Sequence, residues 1–195
     1  MAHLRYLLIP SLLVLTLGGC GSIMSSAGAG PIAENPGERT LGQQMTDESI
    51  ETKAKVNITA ASEGYGAAHL SVISYHGFVL LVGQVPSDEL KSLATDVVRT
   101  IADVRRIYNE LEIGEATGAG TRTNDTWITT QVKSKLLASS DTPGRRVKVV
   151  TENSVVYLMG LLTEAEADRV ALKAAEVSGA ERVVQLFELI PTPPI

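Results

Sequence analysis

The side chains that could perform nucleophilic, acid–base or metal chemistry are few in this sequence of 195 residues. Cys20 is the sole cysteine, which excludes an intrachain disulfide. Because there are also only three histidines, a metal cluster of cysteine and histidine ligands at the usual spacing is excluded too. No serine lies in a Gly-x-Ser-x-Gly elbow, and Gly64-Tyr65-Gly66 lacks the lysine and the third glycine of phosphate-binding loops. We therefore predict neither an enzyme nor a cofactor.

The other candidates for acid–base chemistry also have simpler interpretations. His69 precedes a predicted strand and His76 lies in a predicted turn, so both are predicted to be solvated. The carboxylates Glu164, Glu166 and Asp168 lie at the start of a predicted helix, where negative charge opposes the helix dipole. A periplasmic hydrolase would need a catalytic constellation that these residues do not form.

Cys20 ends an apolar run that is typical of an export signal. Residues 7–17 are apolar apart from Pro10, Ser11 and Thr16, and a run of this length is too short to span a bilayer. Leu17-Gly18-Gly19-Cys20 resembles the lipobox of bacterial lipoproteins. The resemblance implies cleavage after residue 19, lipidation of Cys20 and acylation, for example by palmitate, of the new amino terminus.

Two alternatives concern this amino-terminal segment. It could be an ordinary secretory peptide, removed as residues 1–19, with a cysteine present by chance. The residue after Cys20 is Gly21 rather than the aspartate that favours inner-membrane retention in enterobacterial lipoproteins. That rule predicts an outer-membrane lipoprotein facing the periplasm, although other bacteria use further positions for sorting.

The remaining chain divides into two segments of similar length. Residues 20–45 show no periodicity and are predicted to be a lipidated flexible tether, and the Gly/Thr-rich residues 114–123 are predicted to be a linker. The two predicted modules are residues 46–113 and 124–190, followed by a tail of residues 191–195. Similar lengths suggest an internal repeat.

The two modules align with each other at a nearly constant displacement. Residues 78–85 align with 155–162, and each segment carries one glycine, at Gly83 and Gly160. The closing segments also align, as Arg-Ile-Tyr-Asn-Glu-Leu-Glu-Ile (106–113) and Arg-Val-Val-Gln-Leu-Phe-Glu-Leu (182–189). A duplication with small loop changes would produce this pattern.

Each module is predicted to be α+β, with the order α-β-β-α-β and two helices packed on a small three-stranded mixed sheet. Asp47 and Asp125 are predicted to cap the first helices, because apolar residues recur behind them at helical spacing. Two apolar runs flank a turn in each module, and Thr163-Glu-Ala-Glu166 matches a capping box. The last strand of the second module is apolar on both sides, so we predict that this module packs against its neighbour.

This order, the glycine after the hairpin and the short closing strand resemble the BON domain, in a tandem pair. Together with the lipobox, the chain is similar to the dual-BON outer-membrane lipoproteins of Gram-negative bacteria. The most specific matches are Asn-Asp-Thr-Trp-Ile-Thr-Thr (124–130) and Val-Tyr-Leu-Met-Gly-Leu (156–161). The resemblance implies phospholipid binding, a role in envelope integrity and enrichment at the division site.

Charge separates the two modules. The whole chain carries a net charge of −5 and few aromatic residues, which argues against nucleic-acid binding. Residues 46–72 contain four acidic and two basic side chains, whereas residues 124–150 contain two acidic and five basic ones. The second module is therefore predicted to bind anionic phospholipid, such as phosphatidylglycerol or cardiolipin.

Trp127, the only tryptophan, is predicted to lie on the outward face of the first helix of the second module. At about 100° per residue it points roughly 140° away from the centre of the apolar stripe. The predicted phospholipid site consists of Trp127, Asn124, Asp125, Thr130, Gln131, Lys133, Ser134 and Leu137. Lys135 and Arg146 are predicted to add positive charge. The alternative is that Trp127 packs against the other module or the linker.

The sequence thus predicts a lipid-anchored, non-enzymatic protein that binds phospholipid. The alternative function is a protein-interaction adaptor, in which the same helix or the acidic first module docks an outer-membrane assembly, a division complex or a regulator of cell-wall hydrolases.

Overall fold

The computed structural model describes residues 37–192. These residues form four α-helices: α1 (Leu41–Ala61), α2 (Asp88–Arg99), α3 (Ala119–Ala138) and α4 (Glu164–Ala175). They also form six strands: β1 (His69–Tyr75), β2 (Phe78–Val85), β3 (Arg106–Ile113), β4 (Val147–Glu152), β5 (Val155–Leu162) and β6 (Arg182–Leu189). Short 3-10 helices, Glu63–Ala67 and Gly144–Arg146, precede β1 and β4. The predicted signal peptide, Cys20 and most of the predicted tether lie outside the described residues.

The two modules have the same topology. In each, the first two strands pair antiparallel and the third lies parallel to the second, so the sheet orders are β1-β2-β3 and β4-β5-β6. A parallel pair requires a crossover, which α2 supplies in the first module and α4 in the second. The predicted α+β class and the α-β-β-α-β order are confirmed.

The first helix of each module begins earlier than predicted. Thr40 caps α1: its hydroxyl accepts from the Gln43 N–H at 3.2 Å, and the Gln43 side chain accepts from the Thr40 N–H at 2.7 Å. Residues 41–45 are therefore helical rather than part of a tether, and α3 begins at Ala119, inside the predicted linker. Gly42 in the first segment, and Gly120, Thr121 and Thr123 in the second, lower helix propensity, but propensity is a weak guide at helix ends.

Asp47 is not an N-cap, and that prediction is wrong. It lies inside α1, is only 2% exposed, and its carboxylate holds the β1–β2 turn. Oδ1 accepts from the Gly77 N–H at 2.9 Å and the Ser74 hydroxyl at 2.7 Å, while Oδ2 accepts from the His76 N–H at 2.9 Å and Arg39 Nη1 at 2.7 Å. Burial opposes ionisation, but these hydrogen bonds outweigh it and hold the pKa of Asp47 below its ordinary value.

Asp125 has the same role in α3, so its prediction as an N-cap is also wrong. It is 4% exposed and accepts the N–H groups of Asn153 and Ser154, both at 2.9 Å. The turn residues of both hairpins have positive φ: 53° and 74° at His76 and Gly77, and 48° and 62° at Asn153 and Ser154. Two successive positive φ values define a type I′ hairpin turn, so each aspartate fixes a strained turn against its helix.

Each module has its own apolar core on the helical face of its sheet. In the first module the buried members are Ile50, Ala54, Ile58, Tyr65, Val79, Leu81, Val85, Ala94, Val98, Ile101 and Leu111. In the second they are Ile128, Val132, Leu136, Val147, Val149, Val156, Leu158, Leu162, Ala167, Val170, Ala174 and Val177. The predicted buried stripes of both first helices are confirmed.

The other faces of the two sheets pack against each other. A third apolar cluster joins Ile73, Tyr75, Phe78, Leu80, Val82, Val155, Tyr157, Met159, Leu161 and Leu186. We call this cluster the sheet interface. Burial raises the pKa of Tyr157 to about 12, so its phenol stays neutral there. The prediction that the second module packs against its neighbour is confirmed, because β2 and β5 are buried along their whole length.

Polar contacts between the modules surround the sheet interface. Arg105 makes a bidentate ion pair with Glu188, at 2.8 and 2.7 Å, and His76 Nδ1 lies 2.7 Å from the same carboxylate. Gln84 donates to Glu152 at 2.9 Å in a second, buried contact. These groups fix the relative orientation of the two modules.

The Glu188 contact is expected to weaken in acid. Hydrogen bonds from Arg105, then from His76, hold the pKa of Glu188 below its ordinary value. A lowered folded-state pKa means that the stabilisation is complete above the unfolded-state pKa of about 4.3 and is lost as the pH falls through the folded value. We expect Glu188→Gln to lower the free energy of unfolding by about 1 kcal/mol at pH 7.

The measurement is urea unfolding of wild type and Glu188→Gln between pH 7 and pH 3. The difference between the two proteins should be constant above about pH 5 and shrink below pH 4. Asp47 titrates in both proteins and cancels in this comparison. A difference that stayed constant to pH 3 would contradict the assigned role of Glu188.

Candidate functional site

The residues with acid–base potential have structural roles in the described part of the chain. His69 and His76 are half-buried between the modules rather than solvated, which corrects the prediction: His69 Nε2 lies 3.5 Å from Glu152, and His76 contacts Glu188. Glu166 completes the predicted capping box by accepting from the Thr163 N–H at 2.8 Å, and it also pairs with Arg146. Residues 37–192 contain no group of three or more side chains suited to a metal ion.

The outward face of α3 carries two large exposed apolar side chains. Trp127 is 50% exposed and Leu137 is 60% exposed. They lie ten residues apart, or about 15 Å along the helix axis. Thr130, Gln131 and Ser134 lie between them and are exposed. We call these five residues the Trp127 face.

The Trp127 face has no acidic side chain of its own helix and carries three polar side chains, those of Thr130, Gln131 and Ser134. The Thr130 hydroxyl donates to the Thr126 carbonyl at 2.8 Å, so one polar group is already paired within the helix. Asp125 is the one acidic residue of α3, and its carboxylate is buried against the hairpin turn. Asp125 therefore cannot take part in a surface site, while Asn124 beside it is exposed.

The basic residues near this face divide into two groups. Lys133 is exposed and lies one helical turn before Leu137, and Arg145 lines a groove together with Leu137. Within residues 37–192, neither Lys133 nor Arg145 takes part in an ion pair. Lys135 instead pairs with Glu176 at 2.7 Å, and Arg146 pairs with Glu166. Arg146 thus makes an ion pair within the fold. This corrects the prediction that Arg146 adds positive charge to the phospholipid site.

A loop that the sequence reasoning missed borders Trp127. Glu176, Val177 and Ser178, which follow α4, form a shallow groove with the Trp127 face. Gly179 has a φ of 90°, and a Cβ there would lie 3.3 Å from the Ile128 side chain. The Ser-Gly pair at 178–179 was the available sequence signal for this close approach.

The chain enters the folded unit next to the same face. Gly37 lies against the guanidinium of Arg146, and Glu38 lines the groove that contains Leu137 and Arg145. Arg39 stacks 3.9 Å above the ring of Tyr75 and pairs with Asp47. The entry point is therefore fixed at the C-terminal end of α3.

None of the helices between residues 37 and 192 combines the length and apolar character needed to cross a membrane.

Comparison with known families identifies the repeated module. The family model described as the BON domain matches residues 46–115 and again residues 124–191. The chain belongs to the BON domain family. The predicted resemblance is confirmed, and the matches correspond to the units that contain α1 to β3 and α3 to β6. The Trp127 face thus belongs to the second BON domain.

Three relatives have a similar length and share substantial identity. The Outer membrane lipoprotein DolP of Haemophilus influenzae is 33% identical over 176 residues, covering 89% of this chain and 90% of that protein. The 21 kDa hemolysin of Actinobacillus pleuropneumoniae is 38% identical over 152 residues, covering 78% of each chain. Osmotically-inducible protein Y of Escherichia coli K12 is 30% identical over 146 residues, covering 73% of this chain and 72% of that one. This chain is thus a DolP-like protein with two BON domains.

Proposed function

We propose that this protein is a non-enzymatic lipoprotein of the outer membrane, facing the periplasm, whose second BON domain binds anionic phospholipid through the Trp127 face. Similarity to a relative named as an outer membrane lipoprotein supports the location, and the lipobox at residues 17–20 supports lipidation of Cys20. In this role the protein supports envelope integrity and cell division, with enrichment at the division site.

The exposure of Trp127 carries the lipid-binding proposal. An indole ring suits the membrane interface because it is apolar while its N–H can stay hydrated. Trp127 is half exposed, and the buried core of the domain does not include it. The equivalent position in the first BON domain is Ser49, so the fold does not require an aromatic residue there.

The arrangement of neighbouring residues suits an anionic surface. Exposed Lys133 and Arg145 flank Leu137, and α3 directs no acidic side chain outward. Such cations attract anionic headgroups, each contributing about 1 kcal/mol near the surface. We propose Trp127, Asn124, Thr130, Gln131, Lys133, Ser134 and Leu137 as the contact residues and leave out the buried Asp125.

The position where the chain enters the fold favours simultaneous anchoring and contact. Gly37 and Glu38 lie at the Leu137 end of the Trp127 face. The residues between Cys20 and Gly37 could reach at most roughly 60 Å if fully extended. An anchored chain therefore holds this face near the membrane, where even a weak headgroup contact is effective.

The decisive experiment measures binding of the unacylated chain from Gly21 onward to vesicles with and without phosphatidylglycerol or cardiolipin. This chain retains all of the residues that the structure describes, 37–192. We expect Trp127→Glu to weaken binding to anionic vesicles at least about tenfold, because burial of a large apolar side chain contributes about 1.5–3 kcal/mol.

The matched control is Leu172→Glu, which replaces another exposed apolar residue of the second BON domain, 68% exposed on α4, by the same charge. It should bind as the wild type does. If the wild-type chain does not bind anionic vesicles, or if Trp127→Glu binds them as tightly as wild type does, the lipid proposal fails.

That negative outcome would favour the adaptor function. The first BON domain offers an observation for it: Leu41, Met45 and Val56 of α1 are 71%, 71% and 60% exposed. In that case this helix, in the more acidic domain, becomes the candidate docking surface for an outer-membrane assembly or a regulator of cell-wall hydrolases.

A further inference from the structure

The groove beside Trp127 contains an ion pair at the place where a lipid headgroup would lie. Lys135 Nζ contacts Glu176 Oε2 at 2.7 Å. Lys135 is one helical turn after Gln131, so it borders the Trp127 face on the side opposite Lys133. Val177 and Ser178 continue the groove on the far side of the pair.

Both partners of the ion pair reach solvent. The Lys135 side chain is 35% exposed and that of Glu176 is 57% exposed. An exposed pair of this kind is worth little, because water and salt compete for both charges. Exchange of one anionic partner of Lys135 for another therefore has a small energetic cost.

A second cation is available to the displaced carboxylate. Lys173 lies three residues before Glu176, at the end of α4. The hydrogen bond from Lys135 holds the pKa of Glu176 below its ordinary value, and the charge of Lys173 makes a smaller contribution in the same direction. Residues three apart on a helix are neighbours, so Glu176 can remain paired after it leaves Lys135.

We propose that Lys135 and the groove formed with Val177 and Ser178 are the phosphodiester subsite of the lipid-binding face, and that Glu176 occupies this subsite as an internal competitor until an anionic headgroup displaces it. The subsite accepts a phosphate monoanion presented by a membrane. Ser134 and Ser178 line the same groove, and a serine hydroxyl can donate to the remaining phosphate oxygens.

Internal competition has a consequence for selectivity. A zwitterionic surface does not concentrate anions around the groove, so Glu176 stays paired with Lys135. A surface rich in phosphatidylglycerol presents many monoanions at once, and their high local concentration displaces Glu176 from Lys135. Glu176 is thus a specificity-determining residue that raises the anionic lipid content needed for binding.

This inference rests on the proposed lipid function, and one set of variants tests the two separately. The unacylated chain from Gly21 onward is titrated with phosphatidylcholine vesicles and with vesicles containing equal parts of phosphatidylcholine and phosphatidylglycerol. The variants are Trp127→Glu, Glu176→Gln, Lys135→Gln and the double variant of Lys135 and Glu176. The control is Glu181→Gln, which removes another exposed acid of the same domain.

We expect Glu176→Gln to bind the anionic vesicles about two- to fivefold more tightly than wild type, which is the range of an exposed ion pair. Binding to phosphatidylcholine should not change. Glu181→Gln should gain less, because long-range effects of one surface charge are largely screened at physiological salt. In the Lys135→Gln background the gain from Glu176→Gln should vanish, since the two residues act as one pair.

An equal gain from Glu181→Gln would overturn the inference, and so would a gain from Glu176→Gln that persists in the Lys135→Gln background. In a further arm of the experiment, inorganic phosphate is added at matched ionic strength. If it displaces the Glu176→Gln variant from the vesicles, the groove is assigned to free phosphate instead of lipid. If Trp127→Glu abolishes binding and Glu176→Gln equals wild type, the competitor role alone is wrong. If Trp127→Glu has no effect, the lipid function itself fails.

Discussion

Replacement of Asp47 by alanine is expected to lower the free energy of unfolding by about 3–5 kcal/mol. The carboxylate accepts four hydrogen bonds, two of them from backbone N–H groups of the β1–β2 turn. Alanine would leave these donors buried without an acceptor, and it would release a turn whose residues His76 and Gly77 both have positive φ. Urea unfolding of the chain from Gly21 onward, followed by circular dichroism, measures the loss.

The duplication supplies a matched comparison for this prediction. Asp125 holds the equivalent turn but accepts only from Asn153 and Ser154, so Asp125→Ala is expected to cost about 1–3 kcal/mol. Asp47→Asn keeps one acceptor oxygen and should fall between wild type and Asp47→Ala. Equal losses for Asp47→Ala and Asp125→Ala would show that Ser74 and Arg39 contribute nothing through Asp47.

The role of these aspartates shows where local patterns mislead. An aspartate before an apolar helical repeat indicates an N-cap, and Asp47 and Asp125 fit that pattern. Apart from Arg39, their actual partners lie 27 to 30 residues away along the chain, in hairpins that meet the helix only after folding. The capping signal is visible in a single sequence, but the distant donors in the hairpins are not, so the sequence places the helix start too late.

Features set by local periodicity were predicted well. The spacing of Ile128, Val132 and Leu136 defined a buried stripe, and all three are at most 1% exposed, while Trp127 points outward. The capping box at Thr163 and Glu166 needs only four residues of context and is present. Apolar residues on both sides of the last strand indicated a second packed face, which the sheet interface supplies.

The chemistry of the candidate site depended on tertiary partners and was predicted only in part. The sequence counts Lys135 and Arg146 as positive charges, but it cannot show that Glu176 and Glu166 approach them across the fold. Arg145 and Lys133, which the count treated equally, are the cations that the fold leaves exposed near Leu137. Net charge therefore distinguishes the two domains, but it does not show which basic side chains are engaged in ion pairs.

Replacement of Gly83 by alanine is expected to be as damaging as Asp47→Ala, with a loss of about 3–5 kcal/mol from backbone strain and a steric clash together. Gly83 lies in the central strand β2, opposite Leu70 of β1 and Leu111 of β3. Its φ is 119°, and a Cβ would lie only 2.0 Å from the His69 carbonyl oxygen. The strand pair must separate or shift to admit a methyl group.

The repeat again provides graded controls, because the chain has a glycine at the same aligned position of the second BON domain. At Gly160 a Cβ would lie 2.7 Å from the Arg146 carbonyl oxygen, without a positive φ, so Gly160→Ala should be damaging but less so than Gly83→Ala. Gly66 has open space around it, and Gly66→Ala should stay within about 0.5 kcal/mol of wild type. The urea midpoint should therefore be lowest for Gly83→Ala, higher for Gly160→Ala and highest for Gly66→Ala. Any other order would contradict the explanation that close approach of two backbones, rather than flexibility, requires glycine at this position of the BON fold.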